Sequence, residues 1–187
     1  MDTTFAAIDF ETANGKRDSA CALSVVLVNN NQIVNQSTYL IKPPYDYFAF
    51  THIHGITFED VEDKPDFGLL WPEIIAKLKG VSFIAAHNAS FDRSVLLSCC
   101  SRYSIMPPEL PFVCTVKVAR KVWGIYPTTL PSVCERLTIP LNHHDASSDA
   151  LACAKIIIAA VQHGEILPPH EIPSKRKKRG ILIYKEE

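Results

Sequence analysis

The stretch Phe5-Ala6-Ala7-Ile8-Asp9-Phe10-Glu11-Thr12 decides the interpretation of this sequence. Residues 5–10 have the length and the aromatic and β-branched content of a buried strand, yet carboxylates stand at its far end. Because side chains alternate along a strand, Asp9 and Glu11 point to the same side and can present their oxygens to one shared point. Burying an ionised carboxylate is costly unless it is paired or coordinated, and no Lys or Arg lies beside them in the sequence. A divalent metal is the natural occupant of that point.

A purely structural interpretation of the same octapeptide stands beside this one. In it, Glu11 belongs to the polar turn that begins at residues 12–15, and Asp9 caps a local backbone group. The octapeptide alone favours neither interpretation, so the decision depends on the acidic residues elsewhere in the chain.

Length and composition indicate one domain with a short tail. A chain of 187 residues fits a single domain, and its 19 Lys+Arg against 20 Asp+Glu give no global attraction to nucleic acid or membrane. The six cysteines, at 21, 99, 100, 114, 134 and 153, form no CxxC pair and sit mostly among apolar neighbours, which indicates small core residues in a reducing cytoplasm. We find no secretory signal and no apolar run of membrane length, so we expect a soluble, cytoplasmic protein.

The pattern along residues 1–164 predicts an α/β domain. Strand-like runs at 5–10, 21–28 and 33–41 have short connections, which predicts a three-strand antiparallel meander. Helical patterns cover 65–79, the segment from Ser90 to before Pro107, and then 115–122, 129–137 and 146–162, with short strands at 81–86 and 111–115 between them. This order predicts a mixed sheet, with parallel strands added to the meander and helices on both faces.

Residues 165–187 differ in character from the domain. They contain three prolines and the basic run Lys175–Arg179. A solvated tail is the default interpretation, and a phosphate-contacting arm is the alternative. The apolar segment Gly180–Tyr184 is suited to docking as an extra edge strand, so part of the tail is expected to pack on the domain.

Two later segments repeat the combination of an acidic residue with apolar surroundings. In residues 84–92, a buried strand runs into a helix start where Asp92 lies among apolar and small residues. In residues 143–152, Asp149 is the only acidic residue on an otherwise small and apolar helix face. An acidic residue in the first turn of a helix is also common because it interacts favourably with the helix dipole. Each segment alone is therefore weak support for a metal site.

Two histidines precede the last of these helices. His144, five residues before Asp149, is placed where a helix entrance can hold it over the point that Asp149 faces. Asp145 is suited to an ordinary N-cap, and His143 to an exposed neighbour. A single histidine in such a place is more often structural than catalytic, so His144 gains weight only from the whole set.

Together the segments resemble the three exonuclease motifs of the DEDDh 3′–5′ exonuclease superfamily. The motifs are Asp-x-Glu at 9–11, His-Asn-x-x-Phe-Asp at 87–92 and His-x4-Asp at 144–149, with His-Gly-Ile-Thr at 54–57 between them. The similarity spans residues 4 to about 160 and is greatest to the epsilon proofreading subunit of bacterial DNA polymerase III. It implies a ribonuclease-H-like fold and 3′–5′ exonuclease activity.

The resemblance also implies roles for individual residues. It makes the ligands of two divalent metal ions Asp9, Glu11, Asp92 and Asp149. It makes His144 the general base, because His144 has the matching four-residue gap before Asp149, whereas Asp145 matches no ligand position. By the same similarity, the residues that hold or wedge the 3′-terminal nucleotide are Thr12, Ile53, His54, Asn88 and Phe91.

Elementary chemistry agrees with such a site. Oxygen ligands without cysteine suit Mg²⁺ or Mn²⁺ better than zinc, and two such ions about 4 Å apart can activate water and stabilise a leaving 3′-oxygen. A neutral imidazole can take the proton of that water. The apolar side chains of Ile53 and Phe91 suit the unstacking of a terminal base, although core packing also explains them. His54 before Gly55 indicates a tight turn near a ligand, with a capping role as the alternative.

We therefore expect a metal-dependent 3′–5′ exonuclease that releases nucleoside 5′-monophosphates from a single-stranded 3′ end of DNA or RNA. One alternative is a catalytically idle nucleic-acid-binding or polymerase-accessory module of the same fold. Another is a small-molecule phosphodiesterase, which would share the metals but need no wedge residues. All five catalytic positions hold competent residue types, which favours an enzyme. A polymerase or another replication or repair protein as partner, the choice between DNA and RNA, and the oligomeric state stay open.

Overall fold

The computed structural model describes residues 4–164, and a five-stranded mixed sheet forms its centre. The strands are β1 (Thr4–Thr12), β2 (Ala20–Asn29), β3 (Gln32–Leu40), β4 (Ile84–Ala86) and β5 (Phe112–Cys114). The helices are α1 (Thr51–His54), α2 (Phe67–Lys77), α3 (Ser90–Arg102), α4 (Thr115–Trp123), α5 (Leu130–Leu137) and α6 (Ala146–Gln162). The predicted alternation of strands and helices is confirmed.

The sheet has the strand order β3-β2-β1-β4-β5. β1 pairs antiparallel with β2, and β2 pairs antiparallel with β3, which confirms the predicted meander. β4 pairs parallel with both β1 and β5. β1 is therefore the central strand, and its carboxyl end lies beside the carboxyl end of β4.

Side chains of β1 alternate between two cores, one on each face of the sheet. Ala6, Ile8 and Phe10 pack into the core that contains α2 and α3, whereas Phe5 and Ala7 pack into the core that contains α4 and α6. By the same alternation, Asp9 and Glu11 continue the row that faces α6. Helices therefore cover both faces, as predicted.

Glu11 is part of the strand and not of the turn. It pairs with Ala22 of β2, and the register shifts only between Glu11 and Thr12. The structural interpretation that assigned Glu11 to the polar turn is therefore wrong, and the carboxylates at positions 9 and 11 do lie on one side of β1.

Helix α6 packs closely on the sheet because its inner face is made of small side chains. Ala150, Cys153 and Ala154 are fully buried in the core that they share with β1 and β2. At the first turn, the side-chain amide of Gln36 on β3 donates to the carbonyl and the hydroxyl oxygens of Ser147, at 3.0 and 2.7 Å. These contacts fix the start of α6 across the sheet.

The structure differs from the sequence prediction at two places. β4 begins at Ile84 and not at Val81, although Phe83 is buried and its ring stacks on that of Phe5 with centroids 5.0 Å apart. Residues 51–54 form a single helical turn that hydrophobic periodicity could not reveal, because none of its residues is buried. It ends at Gly55, whose φ of 78° is a left-handed conformation that favours glycine.

Three remaining expectations have different outcomes. Five of the six cysteines are buried and all six are free thiols, which confirms their interpretation as small core residues. No helix within residues 4–164 is long and apolar enough to cross a membrane. The predicted tail, residues 165–187, and its docked segment 180–184 lie outside the described residues.

Candidate active site

Carboxylates from three elements converge at the carboxyl end of β1. Asp92, in the first turn of α3, is 1% exposed, and its Oδ1 accepts the backbone N–H of Phe10 at 3.1 Å. Asp149, in the first turn of α6, is 4% exposed. Both act electrostatically on Asp9 and on Glu11. The structure therefore brings together all four acidic residues that the sequence singled out.

Burial and mutual repulsion make these carboxylates hard to ionise. Burial, followed by the charges of Asp92, Asp149 and Glu11, raises the pKa of Asp9 well above its usual range. Burial, followed by the charges of Asp149, Asp92 and Asp145, raises the pKa of Glu11 to about 8. Burial raises the pKa of Asp92 to about 7 despite the hydrogen bond from Phe10, and it also raises the pKa of Asp149. A group of acids in this state is a strong attractor for cations.

One oxygen of this group lacks a partner within the described chain. The Oδ1 atom of Asp149 is buried without a hydrogen bond, whereas Oδ2 accepts from the Nδ1 of His143 at 2.8 Å and from the backbone N–H of His144 at 3.2 Å. An unpartnered buried carboxylate oxygen is costly, and a metal ion would satisfy it. The residues present therefore fit a divalent-cation site with oxygen ligands.

The two histidines lie at the entrance to α6. His144 has a φ of 69°, and its ring stacks on that of His143 with centroids 3.8 Å apart. Burial and the neighbouring His143 lower the pKa of His144 from its ordinary value of 6.5, so its imidazole is neutral near pH 7. Ligand atoms of His143, His144 and Asp149 all lie within 4.8 Å of one another. The direct bond of His143 to Asp149 is a feature that the sequence analysis missed.

Asp145 is the N-cap of α6. Its side chain accepts the backbone N–H groups of Ser147 and Ser148, at 2.8 and 3.3 Å. The N-cap assignment made from the sequence is confirmed. Asp145 thus holds the first helical turn, from which Asp149 projects.

Two cavities share Glu11 as a wall residue. One, of about 410 Å³, lies between β2, β3 and α1, and includes Ile53, His54, His143 and His144 in its wall. The other, of about 360 Å³, includes Asp9, His87, Phe91, Leu130 and Asp149. Glu11, His143 and His144 line both cavities, whereas Asp9 and Asp149 line only the second.

The predicted nucleotide-binding residues divide into two groups. Ile53, 41% exposed, and His54 line the first cavity, and Phe91 lines the second. Within residues 4–164, the walls of these two cavities do not include Thr12 or Asn88. Thr12 is buried and Asn88 is exposed with a φ of 56°.

His54 connects the single-turn helix to the end of β1. Its Nε2 lies 3.2 Å from the carbonyl oxygen of Thr12, and its Nδ1 accepts the backbone N–H of Ile56 at 3.1 Å. With Nδ1 as the acceptor, Nε2 carries the proton and donates to Thr12. Burial lowers the pKa of His54, which agrees with this neutral form. His54 therefore has the capping role and also lines the cavity.

His87 begins the second motif, and the sequence predicts no role for it. The structure shows its contacts. Its Nδ1 lies 2.8 Å from the hydroxyl of Thr115, and its Nε2 lies 3.0 Å from the carbonyl oxygen of Thr128. Burial lowers its pKa to about 4, so it stays neutral. Through Thr115 and Thr128, His87 connects the end of β4 to the start of α4 and to the segment before α5. Leu130, the first residue of α5, lines the second cavity. The position of His87 directly after a buried strand was the available signal.

We expect Asp145→Ala to destabilise the protein by about 1 kcal/mol relative to Asp145→Asn. Both variants remove the same negative charge, but only alanine loses the N-cap. Thermal unfolding of the two variants in the same buffer measures the difference. If both unfold at the same temperature, the cap of α6 does not contribute to stability.

The unfolding temperature of the metal-free protein should fall as the pH rises from 6.5 to 8.5. The unfolded chain has ionised its carboxyls by about pH 5, whereas in the folded chain Glu11 and Asp92 ionise only at about 8 and about 7. The free energy of unfolding therefore decreases as the pH rises towards these folded-state pKa values, because the folded protein holds protons that the unfolded chain has already lost. His87 acts in the opposite direction only below its unfolded value of 6.5, outside this window.

Calorimetry in EDTA, repeated with millimolar Mg²⁺, measures this fall. A cation that binds the ionised carboxylates should reduce it, because ligand binding stabilises the folded state. An unfolding temperature that is constant across this window in EDTA would contradict the expectation.

The fold and the site define a class of protein. A family model described as Exonuclease matches residues 6–157, so the chain belongs to this exonuclease family. The resemblance to DEDDh exonucleases is confirmed, and exonucleases of this class depend on divalent metal.

Particular relatives follow from the comparisons. The chain is 35% identical to exodeoxyribonuclease 10 of Escherichia coli K12 over 165 residues, which cover 81% of this chain and 66% of that protein. It is 32% identical to the PolC-type DNA polymerase III of Thermotoga maritima over 187 residues, which cover 98% of this chain and only 14% of that polymerase. The chain thus spans less than two thirds of the length of these curated relatives.

Solved structures give the same fold. Exonuclease X in complex with 5′ overhanging duplex DNA has a TM-score of 0.70 and 26% identity, with 84% of this chain and 91% of that chain covered. The nuclease domain of 3′hExo, a DEDDh family member bound to rAMP, has a TM-score of 0.76 at 18% identity, with 87% and 94% covered. This second likeness concerns the fold alone, and it confirms the predicted ribonuclease-H-like architecture.

Proposed function

We propose that this protein is a metal-dependent 3′–5′ exonuclease that hydrolyses the phosphodiester bond at the 3′ end of DNA or RNA and releases nucleoside 5′-monophosphates. The observation that carries the proposal is the convergence of four carboxylates, with raised pKa values, near His144 and two cavities that share Glu11 as a wall residue. A structural ion-pair network would bring cationic partners into such a cluster. Here the charge of Arg17 opposes the raised pKa of Asp92 without a salt bridge, the contacts to Asp149 come from His143 and a backbone N–H, and one buried oxygen has no partner among residues 4–164.

The residues that would hold two Mg²⁺ or Mn²⁺ ions are Asp9, Glu11, Asp92 and Asp149. Bound there, the ions would supply Lewis-acid activation of water and charge stabilisation at the scissile phosphate. The donor set supports Mg²⁺ or Mn²⁺ because it consists of carboxylate oxygens. The raised pKa values support it too, because a cation removes the repulsion that keeps these groups protonated.

His144 is the proposed general base. Its imidazole is neutral near pH 7, as a proton acceptor must be, and it lines both cavities. His143 is a positioning residue, since its Nδ1 holds Oδ2 of Asp149 at 2.8 Å and leaves Oδ1 for a cation. The neutral His144 ring stacks on that of His143, which limits the orientations it can adopt.

The 3′-terminal nucleotide is proposed to lie between the two cavities. Ile53 lines the first cavity and Phe91 the second, so each is placed to contact its base or sugar. His54 and Thr12 form a hydrogen-bonded pair at one edge. Asn88 lies at the start of α3, three residues from Phe91, and its role as a substrate contact rests on the family resemblance.

A degradation assay tests the proposal against its alternatives. A single-stranded oligonucleotide labelled at its 5′ end is incubated with the protein and Mg²⁺, with EDTA as control. A ladder that shortens from the 3′ end supports the exonuclease. Binding without cleavage would instead support an idle nucleic-acid-binding module, and activity restricted to dinucleotides or model esters would support a small-molecule phosphodiesterase.

Similarity to PolC-type polymerase III supports association with a polymerase or another replication or repair protein as a further part of this proposal.

A further inference from the structure

A second group of charged and aromatic side chains lies beside the candidate active site and has no role in it. The loop between β1 and β2 carries Lys16 and Arg17, and α3 ends with Arg102. A groove of about 750 Å³ lies between them, lined by Arg17, Asp18, Ser98, Ser101, Arg102 and Tyr103. We name Lys16, Arg17 and Arg102, with the Tyr45 ring between them, the basic cluster.

The basic cluster is built on the aromatic ring of Tyr45. The Lys16 ammonium lies 3.9 Å and the Arg102 guanidinium 5.5 Å from the centroid of this ring. The Tyr45 hydroxyl donates to Asp18, whose oxygens lie at 3.0 and 3.2 Å. Arg102 donates to the same carboxylate at 3.2 Å. The ring and Asp18 therefore hold Lys16 and Arg102 in place before any ligand binds, whereas Arg17 is held on the Phe91 ring.

The loop that carries two of these cations is itself fixed. The side-chain amide of Asn14 donates to the carbonyl oxygen of Tyr47 at 2.9 Å, and Ala49 donates its backbone N–H to Ala13 at 2.7 Å. The Ser19 hydroxyl donates to the Lys16 carbonyl oxygen at 2.7 Å. Because the loop is already ordered, it loses little conformational entropy when a ligand binds, which favours a ligand site.

Two of the three cations, Lys16 and Arg17, form no salt bridge in the described part of the chain, although the charge of Arg17 acts on Asp92. Arg102, by contrast, forms a salt bridge with Asp18 at 3.2 Å. Lys16 and Arg17 are exposed and rest on aromatic faces. This local excess of positive charge contrasts with residues 1–164 as a whole, which hold 13 basic and 16 acidic residues.

Arg17 connects the basic cluster to the active-site cavity. Its guanidinium stacks on the Phe91 ring at 4.5 Å from the centroid, and Phe91 lines the cavity that contains Asp9 and Asp149. A strand whose 3′ end occupies that cavity would pass the Arg17 guanidinium as it leaves past Phe91. Guanidinium, ammonium and serine hydroxyl groups are the usual protein donors to phosphate oxygens.

We propose that the basic cluster is a phosphate-binding subsite for the backbone of the substrate strand, upstream of the terminal nucleotide. This inference rests on the proposed function, since it assigns the ligand from the neighbouring cavity. It explains how a chain of net charge −1 binds a polyanion through a local positive surface. Asp18 is then a positioning residue, which orients Arg102 and Tyr45.

Salt-dependent binding tests this subsite without any need for cleavage. Fluorescence anisotropy in EDTA measures the affinity of the full chain for a labelled single-stranded 12-mer at several salt concentrations. Arg17→Gln and Lys16→Gln should each weaken binding roughly tenfold and should each reduce the slope of log affinity against log salt by about 0.7. Arg17→Lys keeps the charge and should keep the slope. The matched control is Arg136→Gln in the last turn of α5, which should change neither quantity.

Cleavage kinetics provide the second readout. With Mg²⁺, the ratio of kcat/KM for the 12-mer to that for the p-nitrophenyl ester of thymidine 5′-monophosphate should fall about tenfold in Arg17→Gln, because the ester has no upstream phosphate. Wild-type binding that does not depend on salt would overturn the subsite. An unchanged slope of log affinity against log salt in both glutamine variants would also overturn it, and the basic cluster would then be available to another ligand, such as an acidic protein segment. A wild-type protein that binds with the expected slope but cleaves nothing would overturn the proposed function and leave the subsite standing.

Discussion

Asp9→Ala is expected to reduce the Mg²⁺-dependent cleavage of a single-stranded oligonucleotide by more than about 10³-fold. Asp9 lies on the central strand and interacts with Asp92, Asp149 and Glu11, so its removal affects the whole proposed cation site. Asp9→Asn, which keeps the side-chain volume, should lose as much activity, because an amide lacks the charge that holds a metal ion. Initial rates of 3′ shortening measure both losses. Wild-type-like activity in either variant would count decisively against the assignment.

Asp9→Asn should fold at least as stably as the wild-type protein when metal is absent. Burial and four neighbouring acids make the ionised Asp9 carboxylate unfavourable, so its removal relieves repulsion. In EDTA at pH 8, we expect Asp9→Asn to unfold at a temperature higher by a few degrees, given about 2–4 °C per kcal/mol for a domain of this size. Asp46→Asn, which removes an exposed carboxylate elsewhere, is the control. A large loss of stability in Asp9→Asn would mean that Asp9 has a structural role.

His144→Ala should lower kcat/KM by about 10²- to 10⁴-fold, the range expected for the loss of a general base. His143→Ala should lower it by only about 10- to 100-fold, because His143 acts through its hydrogen bond to Asp149. The two histidines are adjacent and stacked, so each variant is the matched control of the other. Equal losses would contradict the choice of His144 as the base.

The pH profile separates these two roles further. In the wild-type enzyme at saturating Mg²⁺, the rate should rise as His144 loses its proton, at a pH below its ordinary value of 6.5 because burial lowers the pKa. His144→Ala should lose this rise. His143→Ala should retain it at a lower overall rate. A wild-type rate that does not change with pH in this region would argue against a histidine base.

Much of the site was predictable because its ligands lie at fixed positions in regular elements. The alternation of side chains in β1 alone places Asp9 and Glu11 on one side, and the structure confirms that placement. Asp92 and Asp149 each lie in the first turn of a helix, which alone is weak support, and the order of the three motifs identified them; both helices begin at their predicted starts. Strong local patterns thus determined the acidic cluster.

Other features depend on contacts between distant segments and left little trace in the sequence. The bond from His143 to Asp149 requires the left-handed backbone of His144, which no pattern of apolar residues specifies. The single turn α1 has no buried residue and is placed by the bond between His54 and Thr12. The basic cluster assembles Tyr45 and Arg102 around a loop far from both in the chain. These arrangements form only when distant segments meet in the folded protein, so local sequence patterns do not predict them.

The alanine-rich inner face of α6 has a consequence for how this chain can evolve. Ala150, Cys153 and Ala154 lie between the helix axis and the sheet, so their bulk determines how deeply Asp149 reaches toward Asp9. A spacer of this kind touches neither cation nor nucleotide. Evolutionary replacement of these three residues by larger apolar side chains would move Asp149 away from Asp9. We therefore expect it to abolish the proposed cleavage while the fold and the sequence motifs are retained.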